Sequence, residues 1–248
     1  MIKSVDEFVY GLRPLIEAIE SGREIDKVFL RKNMQGDTYK HILSLVRQRS
    51  IPCQFVPVEK LNRITRKNHQ GVIAYISPIS YQRLDQVIPA VYESGEDPLI
   101  VLLDGITDVM NFGAIARTAE CAGVHAIVIS WHGSARVNAD SLKASAGALN
   151  RIPVSRVPNL VYAVNFLRNS GLMIVGTTEK AEKHYTQVRI TGPCAIILGS
   201  EEKGISAGLM KRCDEIVGIP VMGQISSLNV NAAFAVLVYE IVRQRMNN

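Results

Sequence analysis

At 248 residues, the chain is long enough for one large domain or two modest ones. Its 47% hydrophobic and 21% charged residues describe an ordinary globular protein and exclude a disordered one, and no apolar run of about 18 residues marks a membrane span. The net charge of +5 is unevenly held: residues 1–76 carry 13 Lys/Arg against 8 Asp/Glu, whereas residues 77–248 carry 15 of each. With Arg63, Arg66 and Lys67 clustered near His69, this front third points to a phosphate-backbone partner. The opening MIKSVDEFVYG bears acids and lacks an apolar core, so no signal peptide is expected. Cys53, Cys121, Cys194 and Cys213 are scattered without a CxxC pair and read as reduced core thiols of a cytoplasmic protein. The five histidines are dispersed, and no metal site is expected.

In chain order, helical spacing over Tyr10–Ser21 stops at Gly22, and Val28–Leu30 reads as a strand. A second helix follows around His41–Val46, then a short strand at Phe55–Val56, a short helix at Leu61–Ile64 and a buried strand over Gly71–Ile76. Alternating elements over 1–76 predict a small α/β domain. Residues 77–97 read as a linker plus an amphipathic helix, with Leu84, Val87, Ile88 and Val91 on one side, packed on the second domain. From 98 onward, apolar runs at Leu99–Leu103, Ala126–Ile129, Leu172–Val175, Ala195–Leu198 and Ile216–Ile219 alternate with helical stretches at Phe112–Ala122, Ser141–Ala148, Leu160–Leu167 and Ile205–Lys211. Such runs predict a mainly parallel sheet covered on both faces, with ligands gathering at the carboxyl ends of its strands. The last helix is expected to start near Leu228, capped by Ser226 or Ser227. It is apolar from Ala232 to Tyr239 without a gap, so cover is expected on every side.

Three strings in the second domain can carry chemistry. Asn111, Gly113, Arg117 and Gly123 fit NxGxxxRxxxxxG, with Asn111 a natural helix cap. Gly199, Glu201 and Gly204 fit GxExxG, a glycine turn opening a helix. The third is IPVMGQISSLNVNAAFAVLVYE, whose loop frees backbone N–H groups for a polar ligand. Singly, these also describe a capped helix with a surface arginine, a tight turn and a buried tail helix. In the first domain, the KNHQG string likewise fits a turn that satisfies its own backbone.

Taken in order, the three strings resemble the signatures of the SPOUT, or α/β-knot, RNA methyltransferases of the SpoU/TrmH branch. Val109 stands where many relatives have Pro. The resemblance implies a mainly parallel α/β domain closed by a C-terminal trefoil knot, behind a small α/β domain like ribosomal protein L30e that grips RNA. It implies S-adenosylmethionine as cofactor, held by Gly199, Ile219, Pro220, Met222 and Leu228, with Thr177 and Thr178 beside them. Its catalytic and substrate-positioning counterparts are Asn111, Arg117, Glu201, Ser227 and Asn229, and the RNA grip falls to Arg63, Arg66, Lys67, His69 and Gln70. Arg117 is either base or clamp, although a guanidinium gives up its proton reluctantly. The implied reaction methylates a ribose 2′-hydroxyl at a guanosine of large-subunit ribosomal RNA, in a homodimer built on the C-terminal helix. The rivals are a transfer-RNA guanosine 2′-O-methyltransferase and a non-catalytic RNA-binding assembly factor.

Overall fold

The computed structural model describes residues 8–247; residues 1–7 of the opening stretch lie outside the described residues. The chain divides into two compact units, one running to Ser80 and the other from Tyr81.

The first unit runs β1 (Phe8–Tyr10), α1 (Leu12–Glu20), β2 (Ile25–Arg31), α2 (Asp37–Gln48), β3 (Cys53–Val56), α3 (Val58–Ile64) and β4 (Val72–Ile76). Its sheet has the order β1-β4-β2-β3, with β2 and β3 parallel and the other pairs antiparallel. Alternation along each strand splits the side chains between two faces. Val28, Leu30, Val72 and Ala74 pack under Leu15, Ile19, Ile42 and Val46 of α1 and α2. Phe29, Val56 and Ile73 face the other way and have only Leu61 of the short α3 as fully buried cover.

The second unit opens with α4 (Leu84–Glu93) and continues β5 (Leu99–Asp104), α5 (Val109–Cys121), β6 (Ala126–Ser130), α6 (Ala139–Ala144), β7 (Val154–Val157), α7 (Leu160–Asn169), β8 (Met173–Thr177), β9 (Lys183–His184), β10 (Cys194–Gly199), α8 (Ala207–Met210), β11 (Glu215–Gly218) and α9 (Val230–Met246). The sheet has seven strands in the order β7-β6-β5-β10-β8-β11-β9, every pair parallel. One face carries α4 and α7, whose Val87, Ile88, Val164 and Leu167 pack with Ile100, Leu102, Val128 and Ile197. Val101 and Leu103 alternate to the other face and are equally buried, which is why these strands read as unbroken apolar runs. Helix α4 packs on this unit's sheet as one of its layers.

Two local expectations change. Helix α9 begins at Val230 rather than Leu228, because Asn229 and not Ser226 or Ser227 caps it. Nor is α9 covered on every side by its own chain. Phe234, Leu237, Val238 and Ile241 point inward, while Ala232, Val236 and Tyr239 stay exposed one and two turns apart. Among the described residues, no helix is long and apolar enough to cross a membrane.

Candidate active site

The strand order reverses between β5 and β10, since the chain leaves β5 toward β6 on one side while β10 continues toward β8 on the other. Crevices at such switch points, above the carboxyl ends of the strands, are where open α/β sheets hold ligands. The segments after β5, β8, β10 and β11 all reach this end.

Helix α5 is capped not by Asn111 but by Asp108, whose Oδ1 accepts the Asn111 backbone N–H at 2.7 Å. That frees the Asn111 side chain. Its Nδ2 donates to Glu201 Oε1 at 3.2 Å, and its Oδ1 accepts from Asn229 Nδ2 at 3.0 Å. The same Asn229 Nδ2 donates to Glu201 Oε1 at 3.1 Å, while Asn229 Oδ1 caps α9 by accepting the Asn231 N–H at 3.0 Å. Asn111, Glu201 and Asn229 therefore close a triangle across segments 90, 28 and 118 residues apart. A second tie joins the same two helices, from Thr118 Oγ1 to Asn231 Oδ1 at 2.9 Å.

The glycines of the signatures hold this geometry by close approach. A Cβ on Gly199 would sit 2.1 Å from the Gly204 carbonyl carbon and 2.2 Å from the Ile205 nitrogen. Only glycine lets the chain fold back over itself there, lifting Glu201 to the apex of the turn. The Ser206 N–H donating to Asp104 Oδ2 at 2.7 Å pins that turn to the end of β5. On Gly113 a Cβ would meet the Ala144 Cβ at 2.5 Å, so this position lets α6 press against α5.

Beside the triangle lies a cleft of about 440 Å³, within the range of small-molecule sites. Thr177, Thr178, Gly199, Ile219 and Leu228 line it, together with Glu201 and Ser227. Apolar walls come from Leu198, Val217 and Val230. Pro220 and Met222 lie outside the lining, where Val221 stands instead, and Met222 is 95% exposed. Thr177 Oγ1 is already spent on the Ile197 carbonyl at 3.0 Å, so this residue shapes the wall. Glu179, Glu201 and Glu202 border the cleft with Lys180 and Lys203. Arg117 is exposed further along α5, and none of the triangle's hydrogen bonds reaches it.

In the first unit, Arg63, Arg66 and Lys67 are exposed as an RNA grip requires. His69 is buried, whereas Gln70 is exposed. His69 is 8% exposed, its Nδ1 accepts the Gly71 N–H at 3.0 Å and its Nε2 meets Asn62 Oδ1 at 2.9 Å, an arrangement that assigns a neutral ring protonated on Nε2. Gln70 Oε1 takes the first N–H of α1, from Leu12, at 3.0 Å. The string is a structural turn. Among the described residues, no cluster of His, Cys, Asp and Glu is placed to hold a metal. Asp104, Asp108, Thr118 and Asn231 were missed by sequence reasoning; of these only Asp108 carried a signal, the spacing of an N-cap ahead of a helix.

Residues 98–239 match the SpoU rRNA Methylase family, and residues 8–82 match the family described as RNA 2′-O ribose methyltransferase substrate binding. YacO of Bacillus subtilis (strain 168), assigned to the TrmH family of tRNA/rRNA methyltransferases, is 33% identical over 96% of each chain. Among solved structures, the SpoU methyltransferase AviRb from Streptomyces viridochromogenes, in complex with AdoMet, superposes with a TM-score of 0.62 at 28% identity, covering 97% of this chain and 91% of its own. A TrmH/SpoU tRNA-modifying enzyme from A. aeolicus matches with a TM-score of 0.56 at 28% identity, over 66% of this chain and 85% of its own. Signatures and parallel sheet agree with these likenesses: the chain belongs to the SpoU/TrmH family of RNA 2′-O-ribose methyltransferases and has its SPOUT-type α/β fold.

Proposed function

We propose that the chain methylates the ribose 2′-hydroxyl of a guanosine in large-subunit ribosomal RNA, acting as a cytoplasmic homodimer whose L30e-like front unit grips the RNA. S-adenosylmethionine is the cofactor; when bound, it supplies an electrophilic methyl group on a sulfonium. The cleft fits it. Leu198, Val217 and Val230 offer an apolar wall for the adenosine, and Lys203 and Glu179 offer opposite charges for a zwitterionic amino-acid tail.

The observation that carries the reading is the Asn111–Glu201–Asn229 triangle beside that cleft. Displacement at the methyl carbon forms the 2′-oxygen–carbon bond and breaks the carbon–sulfur bond, so holding the oxygen in line is a large part of the catalysis. The triangle fixes α5, the Glu201 turn and α9 relative to one another before substrate arrives, so little reorganisation is left for the reaction itself. Arg117 offers donors and no acceptor. It therefore serves as a clamp on phosphate and developing alkoxide, and the hydroxyl proton leaves late, to water or a phosphate oxygen.

The ribosomal assignment draws on the description of the family that the catalytic unit matches, the SpoU rRNA Methylase family. A transfer-RNA reading draws on the A. aeolicus enzyme, whose likeness extends over two thirds of the chain. The homodimer draws on the exposed apolar row Ala232, Val236 and Tyr239, with Met222 and Ile225 exposed on the preceding loop. Labelled methyl transfer to total RNA, followed by mapping of the modified nucleotide, decides the substrate. A 2′-O-methylguanosine in large-subunit RNA is expected, label in transfer RNA favours the second reading, and RNA binding without label rejects catalysis.

A further inference from the structure

The second face of the front unit's sheet is unlike the first. Across the strands the pairing sets Phe8 opposite Tyr75, and Tyr75 opposite Lys27. In the next row Tyr10 lies opposite Ile73, Ile73 opposite Phe29, and Phe29 opposite Gln54. Four aromatic rings thus share one patch, with centroids 6.0 Å apart for Phe8–Tyr75 and Phe29–Tyr75 and 6.1 Å for Phe8–Tyr10. Phe29 is the buried anchor, whereas Phe8, Tyr10 and Tyr75 are half-buried and keep part of their rings open. Helix α3 covers the Phe29 end only in part.

The lysines around this patch lean onto it. Lys27 Nζ lies 5.2 Å and Lys60 Nζ 4.9 Å from the Phe29 centroid, and Lys67 Nζ lies 5.8 Å from that of Tyr10. All three are within cation–π range.

We propose that this face, with Phe8, Tyr10 and Tyr75 as its rings and Lys27, Lys60 and Lys67 as its rim, stacks unpaired nucleobases of the RNA substrate. The inference rests on the reading that the front unit grips RNA, and it names the surface and the state of the RNA. Open aromatic rings on a sheet take the faces of splayed bases, while flanking lysines follow the phosphates. A duplex keeps its bases stacked inside and offers the rings nothing, so cations alone would serve it. The unit's net charge of +5 over residues 1–76 is complementary to such a strand. The face therefore selects a loop or bulge, delivering an unstacked stretch to the enzyme.

The test uses the full chain and a short single-stranded oligoribonucleotide with a central 2-aminopurine, alone and paired to its complement. The wild type should quench the 2-aminopurine and prefer the single strand. Tyr10→Leu and Tyr75→Leu should each weaken binding about tenfold, the usual worth of one base–aromatic stack. Lys60→Ala and Lys67→Ala should each flatten the logarithmic salt dependence by about 0.7. Preference for the duplex, or leucine variants that bind and quench like the wild type, would overturn the proposal. Should those variants fail to fold, photocrosslinking of a 4-thiouridine strand to the unaltered protein decides it. Adducts on Phe8, Tyr10 or Tyr75 support the face, and adducts confined elsewhere reject it. A methyl-transfer assay run alongside separates the two readings: transfer with adducts elsewhere rejects only this surface, and adducts here without transfer reject only the catalytic assignment.

Discussion

Asn229 does two jobs with two ends of one amide. Its oxygen caps α9 and its nitrogen binds Asn111 and Glu201. Asn229→Ala loses both, so thermal stability should drop by about 1 kcal/mol for the lost cap, alongside collapse of methyl transfer. Asn229→Asp keeps the capping oxygen but places a second carboxylate against Glu201, where the native contact is 3.1 Å. Its melting temperature should fall less than that of the alanine variant, with activity equally lost; equal loss of stability in both would show that repulsion from Glu201 offsets the retained cap. Arg117→Ala should abolish transfer and leave calorimetric cofactor affinity nearly unchanged, because Arg117 is exposed outside the triangle. Cofactor binding lost as badly as activity rejects its place on the RNA side. The cysteines divide similarly by surroundings. Burial pushes the thiols of Cys53, Cys194 and Cys213 up to about 11, while Cys121 is exposed rather than a core thiol as its sequence suggested. A thiol reagent near pH 8 should therefore modify one cysteine per native chain and all four after unfolding.

Helix α9 shows how a side-chain network anchors an element whose sequence looks merely apolar. Gln244 Nε2 donates to the Val188 carbonyl at 3.0 Å and to Glu240 at 2.8 Å, and Gln244 Oε1 takes the Ile190 N–H at 2.7 Å. The Arg243 hydrogen bonds to Glu240, aided by Gln244, hold its carboxyl down at about 2 against an ordinary 4.5. A depressed carboxyl stabilises the fold above its unfolded value and ceases to do so as pH falls through the folded one. Glu240→Gln should therefore lower the denaturation midpoint at pH 7, and the gap to wild type should close between about 4.5 and about 2; a constant gap down to that pH rejects the ion-pair explanation. What the sequence disclosed follows the same logic of surroundings. The central strands β5, β6, β8, β10 and β11 were legible because both their faces are covered. The strands it hid, β1, β7 and β9, are all sheet edges. Each is only two to four residues long, too short to carry a run to read. In the site, residue types were legible and roles were not. Asn111 fits a cap, but Asp108 takes that place, and the distant partners of the HQG turn, the start of α1 and Asn62, carry no signal in the string itself.

At the scale of the molecule, the outward row of α9 is the surface a second copy would cover. Val238 is fully buried in its own chain, so a charge there would test the core. Val236 and Tyr239, 36% and 49% exposed, are the informative positions. Val236→Glu or Tyr239→Glu should convert a dimer to a folded 27.3 kDa monomer by leaving a charge unpaired in an apolar contact; sedimentation at micromolar concentration reads the outcome, and a fully active wild-type monomer sinks the dimer. A fragment from Tyr81 onward keeps its own core and 15 charges of each sign, so it should bind cofactor yet hold RNA weakly and with a shallow salt dependence. The closed triangle also has a consequence in time. Its corners are joined across 118 residues and through strands that pair in parallel, and such distant partners meet late in folding. Helices α5 and α9 can form before Asn111 and Asn229 find each other, so a refolding chain should regain its circular dichroism first and its methyl transfer afterwards. Catalytic competence then reports the last event of folding, a clock that no spectroscopic probe of secondary structure provides.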